Sequence, residues 1–203
     1  MKKVFCVLAI ASVACLSQAQ LLTTDQSTVI AAGGQFVDLP GASGSLHTTL
    51  DLPDGNKITF SNFVVRLNVP EDWSVWRPGS QPKLLESRFG TPVTLTFDQP
   101  VSTFGLEMMP VWLAGRNMRM DILEGGSGQL TQFVSADTGA LFFGFTEGSV
   151  TKLRLSRLPL TDTGSFAFGN ILYNPVPEPA TWITIGIGTL VFAKRRSGRS
   201  SRH

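Results

Sequence analysis

Few side chains in this chain can do chemistry, and their types and spacing limit what that chemistry is. His47 and the near-terminal His203 are its two histidines, so a Ser-His-Asp relay in the body would have to run through His47. No serine stands in a Gly-x-Ser-x-Gly elbow, and Ser45-Leu46-His47-Thr48-Thr49 reads as an exposed strand. Zinc is not expected, because the body offers neither a second histidine nor a cysteine. Glycoside hydrolysis needs two carboxylates facing one another. Glu107, in Phe104-Gly105-Leu106-Glu107-Met108, is the best single carboxylate, yet no Glu-x-Asp-x-Glu set surrounds it. Alternation puts it opposite the apolar face of its strand, as a solvated side chain. Asp51, Asp54 and Asn56 could offer oxygens to calcium, although Asp54-Gly55-Asn56 is first of all a turn. The expectation is a body with no catalytic residues and no cofactor.

Binding character concentrates in Glu71-Asp72-Trp73-Ser74-Val75-Trp76-Arg77-Pro78-Gly79-Ser80-Gln81-Pro82-Lys83. Flat aromatic faces stack on sugar rings, and flanking acids and a guanidinium hydrogen-bond hydroxyls. Trp73, Trp76 and Arg77 are therefore the candidate glycan contacts. The competing reading folds Trp73 or Trp76 inward as a lid over the sandwich edge. Trp112 either extends the same surface or seals the core.

The elements that must hold these residues are strands. Apolar and polar positions alternate in short runs bounded by Gly, Pro, Asp and Asn across residues 20–174, and no sustained helical period occurs. Val93, Leu95 and Phe97 alternate with threonines before an expected turn at Asp98-Gln99-Pro100. Met118, Met120 and Ile122 share a face opposite Arg119 and Asp121, and Leu141, Phe143 and Phe145 form another stripe. Asp54-Gly55 predicts a hairpin turn, a change of apolar face predicts a bulge near Asn62, and Glu124-Gly125-Gly126-Ser127-Gly128 predicts a hairpin loop. About nine to eleven strands follow, and many short half-buried strands pack as an all-β, two-sheet sandwich of jelly-roll kind.

The ends read differently. Lys2 and Lys3, the apolar run Val4 to Leu16, and Ser17-Gln18-Ala19 have the form of a secretory signal peptide over residues 1–19. Ser12-Val13-Ala14-Cys15 is a competing lipoprotein-like box. Cleavage after Ala19 removes both cysteines, Cys6 and Cys15, and with them any disulfide. Residues 20–176 keep ten basic against fourteen acidic side chains, so the body is negative although the whole chain is formally +2. The scattered basic residues argue against nucleic acid as a partner.

Residues 175–179 form a Pro-rich linker, 180–193 a short hydrophobic helix, and 194–203 a basic tail. The apolar run is about 14 residues, ~21 Å of helix, short for a lasting membrane span. Lys194, Arg195, Arg196 and Arg199 would hold the end in the cytoplasm, with Trp182 at the outer interface. A plain inner-membrane tail anchor is one reading.

Val176-Pro177-Glu178-Pro179-Ala180, then a glycine-containing apolar run, then a basic cluster, resembles the PEP-CTERM sorting signal of Gram-negative bacteria. The resemblance covers roughly the last 25 residues. It implies that Val176, Pro177, Glu178 and Pro179 are recognised by an exosortase, a membrane cysteine protease or transpeptidase, after Sec export and a transient stay in the inner membrane. The destination it implies is the cell surface or an exopolysaccharide matrix. Thr94 to Gly105, Phe143-Gly144-Phe145 and Phe166 to Tyr173 resemble the sandwich domains carried by such proteins. Those domains commonly show Asp before Asn in the last strand. This chain has Gly169 there, so no role for that carboxylate carries over. The resulting expectation is a surface or matrix protein that binds extracellular polysaccharide or builds the matrix, with a glycan hydrolase using Glu107 as the alternative.

Overall fold

The computed structural model describes residues 20–69, 76, 82–88, 91–111, 115–160 and 164–175. Eleven strands and one short helix occupy them. In chain order they are β1 (Leu21–Thr23), α1 (Gln26–Ala31), β2 (Gln35–Phe36), β3 (Leu46–Asp51), β4 (Lys57–Asn68), β5 (Lys83–Ser87), β6 (Val93–Pro110), β7 (Arg116–Glu124), β8 (Gly128–Val134), β9 (Leu141–Thr146), β10 (Val150–Leu158) and β11 (Phe166–Pro175). All the strand pairs are antiparallel, as alternating patterns joined by short turns require.

Two long strands organise the network. The first part of β6 lies between β4 and β10, with Leu95 opposite both Phe60 and Leu153. Its second part lies between β11 and β9, with Glu107 opposite Gly169 on one side and Phe142 on the other. β4 behaves alike, pairing β6 through Ile58–Phe60 and β5 through Val64–Asn68. The strands therefore hydrogen-bond as one continuous network rather than as two separate sheets, because β4 and β6 pass from one group of neighbours to the other.

Bulges make those passages. His47 pairs with Val64 and Thr49 with Thr59, so two steps on β3 face five on β4, and the excess lies around Asn62 as the sequence predicts. Val150 pairs with Val101 and Lys152 with Thr96, which puts a matching excess at Asp98-Gln99-Pro100. The turn expected there is instead a bend inside the 18-residue β6. The chain kinks without reversing, because strands flank it on both sides of the kink.

The predicted hairpins stand. Gly55, at φ +86, closes the β3–β4 turn, where Leu52 N donates to the Asn56 carbonyl at 2.8 Å. Gly125, at φ +81, lies in the β7–β8 loop. The helix was not foreseen, because six residues are too few to show a 3.6-residue period. Asp25 caps it, accepting from Ser27 N at 2.9 Å and Ser27 Oγ at 2.7 Å, and these bonds lower the Asp25 carboxyl below its usual range.

Burial follows the same division. Along β6, residues 93–97 alternate between buried and half-buried, whereas every residue from Thr103 to Pro110 is buried. One face of this second half joins the main core, where Phe97 and Phe104 meet edge to face at 5.2 Å. The other face is covered by a small cluster of Val29 from α1, Phe142 and Leu172. A Cβ on Gly105 would come within 2.2 Å of the Phe142 ring, so glycine lets that ring lie against the strand. Among the described residues no helix is long and apolar enough to cross a membrane. Residues 1–19 and 176–203, which carry the expected signal peptide, hydrophobic helix and basic tail, lie outside the described set.

Candidate functional site

Glu107 occupies the covered face of β6. Alternation does aim it away from the main core, but it is 1% exposed and not solvated, because Trp76 closes over it. Trp76 is 2% exposed, and its Nε1 donates to Glu107 Oε2 at 2.7 Å. The Trp76 carbonyl accepts from Ala140 N at 3.1 Å, which fixes the residue at both ends. Trp76 is thus removed from the expected sugar-stacking surface, and the inward reading holds for it. The physical reason is a buried carboxylate that needs donors, together with an indole that buries a large apolar area once its one N–H is satisfied. Trp73, Arg77 and Trp112 lie outside the described residues.

The same Glu107 oxygen accepts from Asn170 Nδ2 at 2.7 Å. Asn170 sits on a bulge in β11, where Gly169 pairs with Glu107 but Leu172 with Gly105. Its φ is +47, a left-handed conformation that asparagine tolerates better than most residues. Gly169 beside it is required by close packing. A Cβ there would lie 2.7 Å from Leu84 Cδ2 and 2.9 Å from the Lys83 carbonyl oxygen. An Asp at this position cannot be accommodated without displacing β5.

Asn170 also lines an open cavity of about 330 Å³, together with Phe36, Val37, Asp38, Leu39 and Lys83. That volume falls at the small end of ligand sites, about 300–1,000 Å³. β2 delivers Phe36 to this wall through its pairing with Leu172 of β11, and the ring is 57% exposed. Lys83 Nζ donates to Asp38 Oδ1 at 2.7 Å. This bond, and then the ammonium charge, hold the Asp38 carboxyl below the usual range. Sequence reasoning missed Phe36, Asp38 and Asn170. Only a left-handed Asn after Gly169 could have hinted at them, and that signal is weak without the register.

A second polar cluster joins the β3–β4 turn to the kink in β6. Asn56 Nδ2 donates to the Gln99 carbonyl at 3.1 Å and to Tyr173 Oη at 3.0 Å. Asn56 Oδ1 accepts from Lys57 N and Gln99 N, both at 2.8 Å. Tyr173 Oη donates to Asp54 Oδ2 at 2.7 Å. Burial, then the bond to Asp54, push the Tyr173 phenol far above its ordinary value. Asn56 Oδ1, considered above for calcium, already accepts from two backbone N–H groups, which makes it a clamp. Among the described residues no group of three or more His, Cys, Asp or Glu is placed to hold a metal ion. His47 is half-buried and shares a hydrogen bond of 2.8 Å between its Nε2 and Ser45 Oγ. Ser45 Oγ also reaches the Ala42 carbonyl at 2.7 Å.

β11 stays in the sheet to its last residue. Pro175 pairs with Val101, and Ser102 Oγ donates to the carbonyls of Asn174 and Pro175 at 3.2 and 3.0 Å. At that residue a family match begins: the model of the PEP-CTERM protein-sorting motif matches residues 175–197. The chain carries a PEP-CTERM motif. The motif marks an exported protein with a transient membrane anchor that is processed by an exosortase. The PEP-CTERM segment therefore follows the folded body directly, with β11 paired up to the first matched residue. The body itself is β-rich and antiparallel, consistent with a jelly-roll-like domain. A search of curated proteins found no match to the chain.

Proposed function

We propose that this protein is exported through the Sec pathway, freed of its hydrophobic tail by exosortase, and displayed at the cell surface or in the extracellular matrix. There its jelly-roll-like body binds extracellular polysaccharide without catalysing a reaction. The observation that carries the binding reading is the cavity beside Asn170, where an exposed Phe36 ring meets an ion pair and an amide. An aromatic face with a few convergent polar groups is the recurrent composition of small-ligand sites. The hydrolase alternative is disfavoured, because both donors to Glu107 Oε2 come from the protein and the residue is sealed from solvent.

The test uses the exported, processed protein purified from its host and applied to a glycan array, beside Phe36→Ala. Binding that falls at least about tenfold in the variant supports the reading. No binding to any polysaccharide leaves a purely structural matrix role, and release of reducing sugar would restore the hydrolase. Mass spectrometry of the same material checks processing: retention of Trp182 to Ala193 would favour the plain tail anchor.

A further inference from the structure

The cavity also carries information about what kind of sugar it takes. A bulge re-aims a side chain, and a non-glycine residue held left-handed persists only where its surroundings over-determine it. Asn170 is such a residue, at φ +47 on the cavity wall. What fixes it is Glu107. A carboxylate only accepts, so the amide NH2 must face Glu107 Oε2, 2.7 Å away, and the amide cannot be reversed. Trp76, donating to the same oxygen, holds the carboxylate in place. Asn170 Oδ1 is left without a protein partner among the described residues, as an acceptor of set direction. Among the described residues, the remaining wall adds no surplus charge. The Lys83 ammonium is already met by Asp38 at 2.7 Å. Among the described residues a further cation close to Asp38, Arg66, is buried, donates to Asn68 Oδ1 and does not line the cavity.

We propose that the cavity binds a neutral, hydroxyl-rich sugar, one hydroxyl of which donates to Asn170 Oδ1 while the ring lies on Phe36. Glu107 is the positioning residue that sets the direction of the amide. This inference rests on the polysaccharide reading above and narrows it to uncharged residues over uronates or sulfated sugars. An aimed acceptor discriminates by more than contact area does, because a ligand lacking the matching donor leaves it buried and unpaired.

The experiment measures binding of the processed protein to matched neutral and uronate oligosaccharides. It then compares the best neutral binder with its single O-methyl analogues. The expected result is a preference for the neutral series and at least about tenfold loss on methylating one particular hydroxyl. In Asn170→Gly, which accepts φ +47 without strain, the parent sugar should bind at least about tenfold more weakly. Its ratio to the O-methyl analogue should fall to about one. Glu107→Gln, whose oxygen is held by the donor-only Trp76 Nε1, should leave that ratio unchanged, whereas Glu107→Leu, which removes the acceptor and frees the Asn170 amide to turn, should lower it in protein whose circular dichroism stays native. Preference for uronates, or an unchanged ratio in folded Asn170→Gly, overturns this inference and leaves polysaccharide binding standing. No sugar bound by the native protein removes both.

Discussion

β11 touches two buried polar clusters that look alike and differ in one respect. At Tyr173, the Asn56 amide is used at both ends: its oxygen takes two backbone N–H groups, and its nitrogen serves Gln99 and Tyr173. At Asn170, which lines a cavity, the amide nitrogen is bound to Glu107 while the oxygen has no partner among the described residues. A polar cluster that consumes all its own valences holds a fold together. One that leaves an aimed acceptor at the surface has something to offer a ligand. The difference is local, since Tyr173 and Asn170, the members of the two clusters on β11, are three residues apart.

Each side of this comparison can be broken separately, and the clamp should break hardest. Asn56→Ala removes four hydrogen bonds made by a buried side chain, to Gln99 N, the Gln99 carbonyl, Lys57 N and Tyr173 Oη, at about 0.5–1.5 kcal/mol per bond. A total loss of about 3 kcal/mol is expected, read as a lower urea midpoint with unchanged slope. A loss below about 1 kcal/mol would mean that water replaces the side chain.

Gly169→Asp drives a Cβ to 2.7 Å from Leu84 Cδ2. It should cost about 2 kcal/mol through overpacking against β5, measured in the same way.

Tyr173→Phe removes the bond donated to Asp54 and the one accepted from Asn56, and should cost about 1.5 kcal/mol near neutral pH. Its pH dependence is the sharper reading. The phenol's folded-state pKa is raised above its unfolded value of about 10. The associated stability is therefore complete below pH about 10 and is lost as pH rises beyond it. Tyr173→Phe should flatten the fall in stability above that pH. Because the chain has a single tyrosine, phenolate absorbance should appear only with unfolding. Phenolate formation in the folded protein at pH about 10 would contradict the buried clamp.

Phe36→Ala should do least to the fold. Its ring is largely exposed, so the unfolding free energy should move by less than about 0.5 kcal/mol while sugar binding falls. A large destabilisation would make Phe36 a core residue and weaken the site.

Much of the framework was legible because it obeys short-range rules. The β3–β4 turn needs Gly55, and the face change around Asn62 announces a bulge, so local chemistry names both. Asp98-Gln99-Pro100 carries the same local marks as a turn, yet neighbours on both sides of the kink keep β6 running. Only long-range pairing decides between the two. The site was less legible for the same reason. Glu107 faces outward by alternation, and what buries it is a tryptophan 31 positions earlier in a Pro- and Gly-rich stretch. Phe36 carries no periodic signal in a two-residue strand, and Asn170 shows its conformation only once the register with β6 is known. The sorting tail was readable because an enzyme recognises it as a linear string.

β11 enters the motif with no intervening spacer, and this has a mechanical consequence. If the processed end is fixed to the surface, a pull on a sugar held at Asn170 reaches the anchor through the five residues that complete the strand. Those residues lie beside β6 with β2 at their edge, so the load acts lengthwise on ladder bonds and does not peel them one at a time. Drag on a bound polymer would then bypass the rest of the domain, leaving β3, β7, β8 and β10 unstrained.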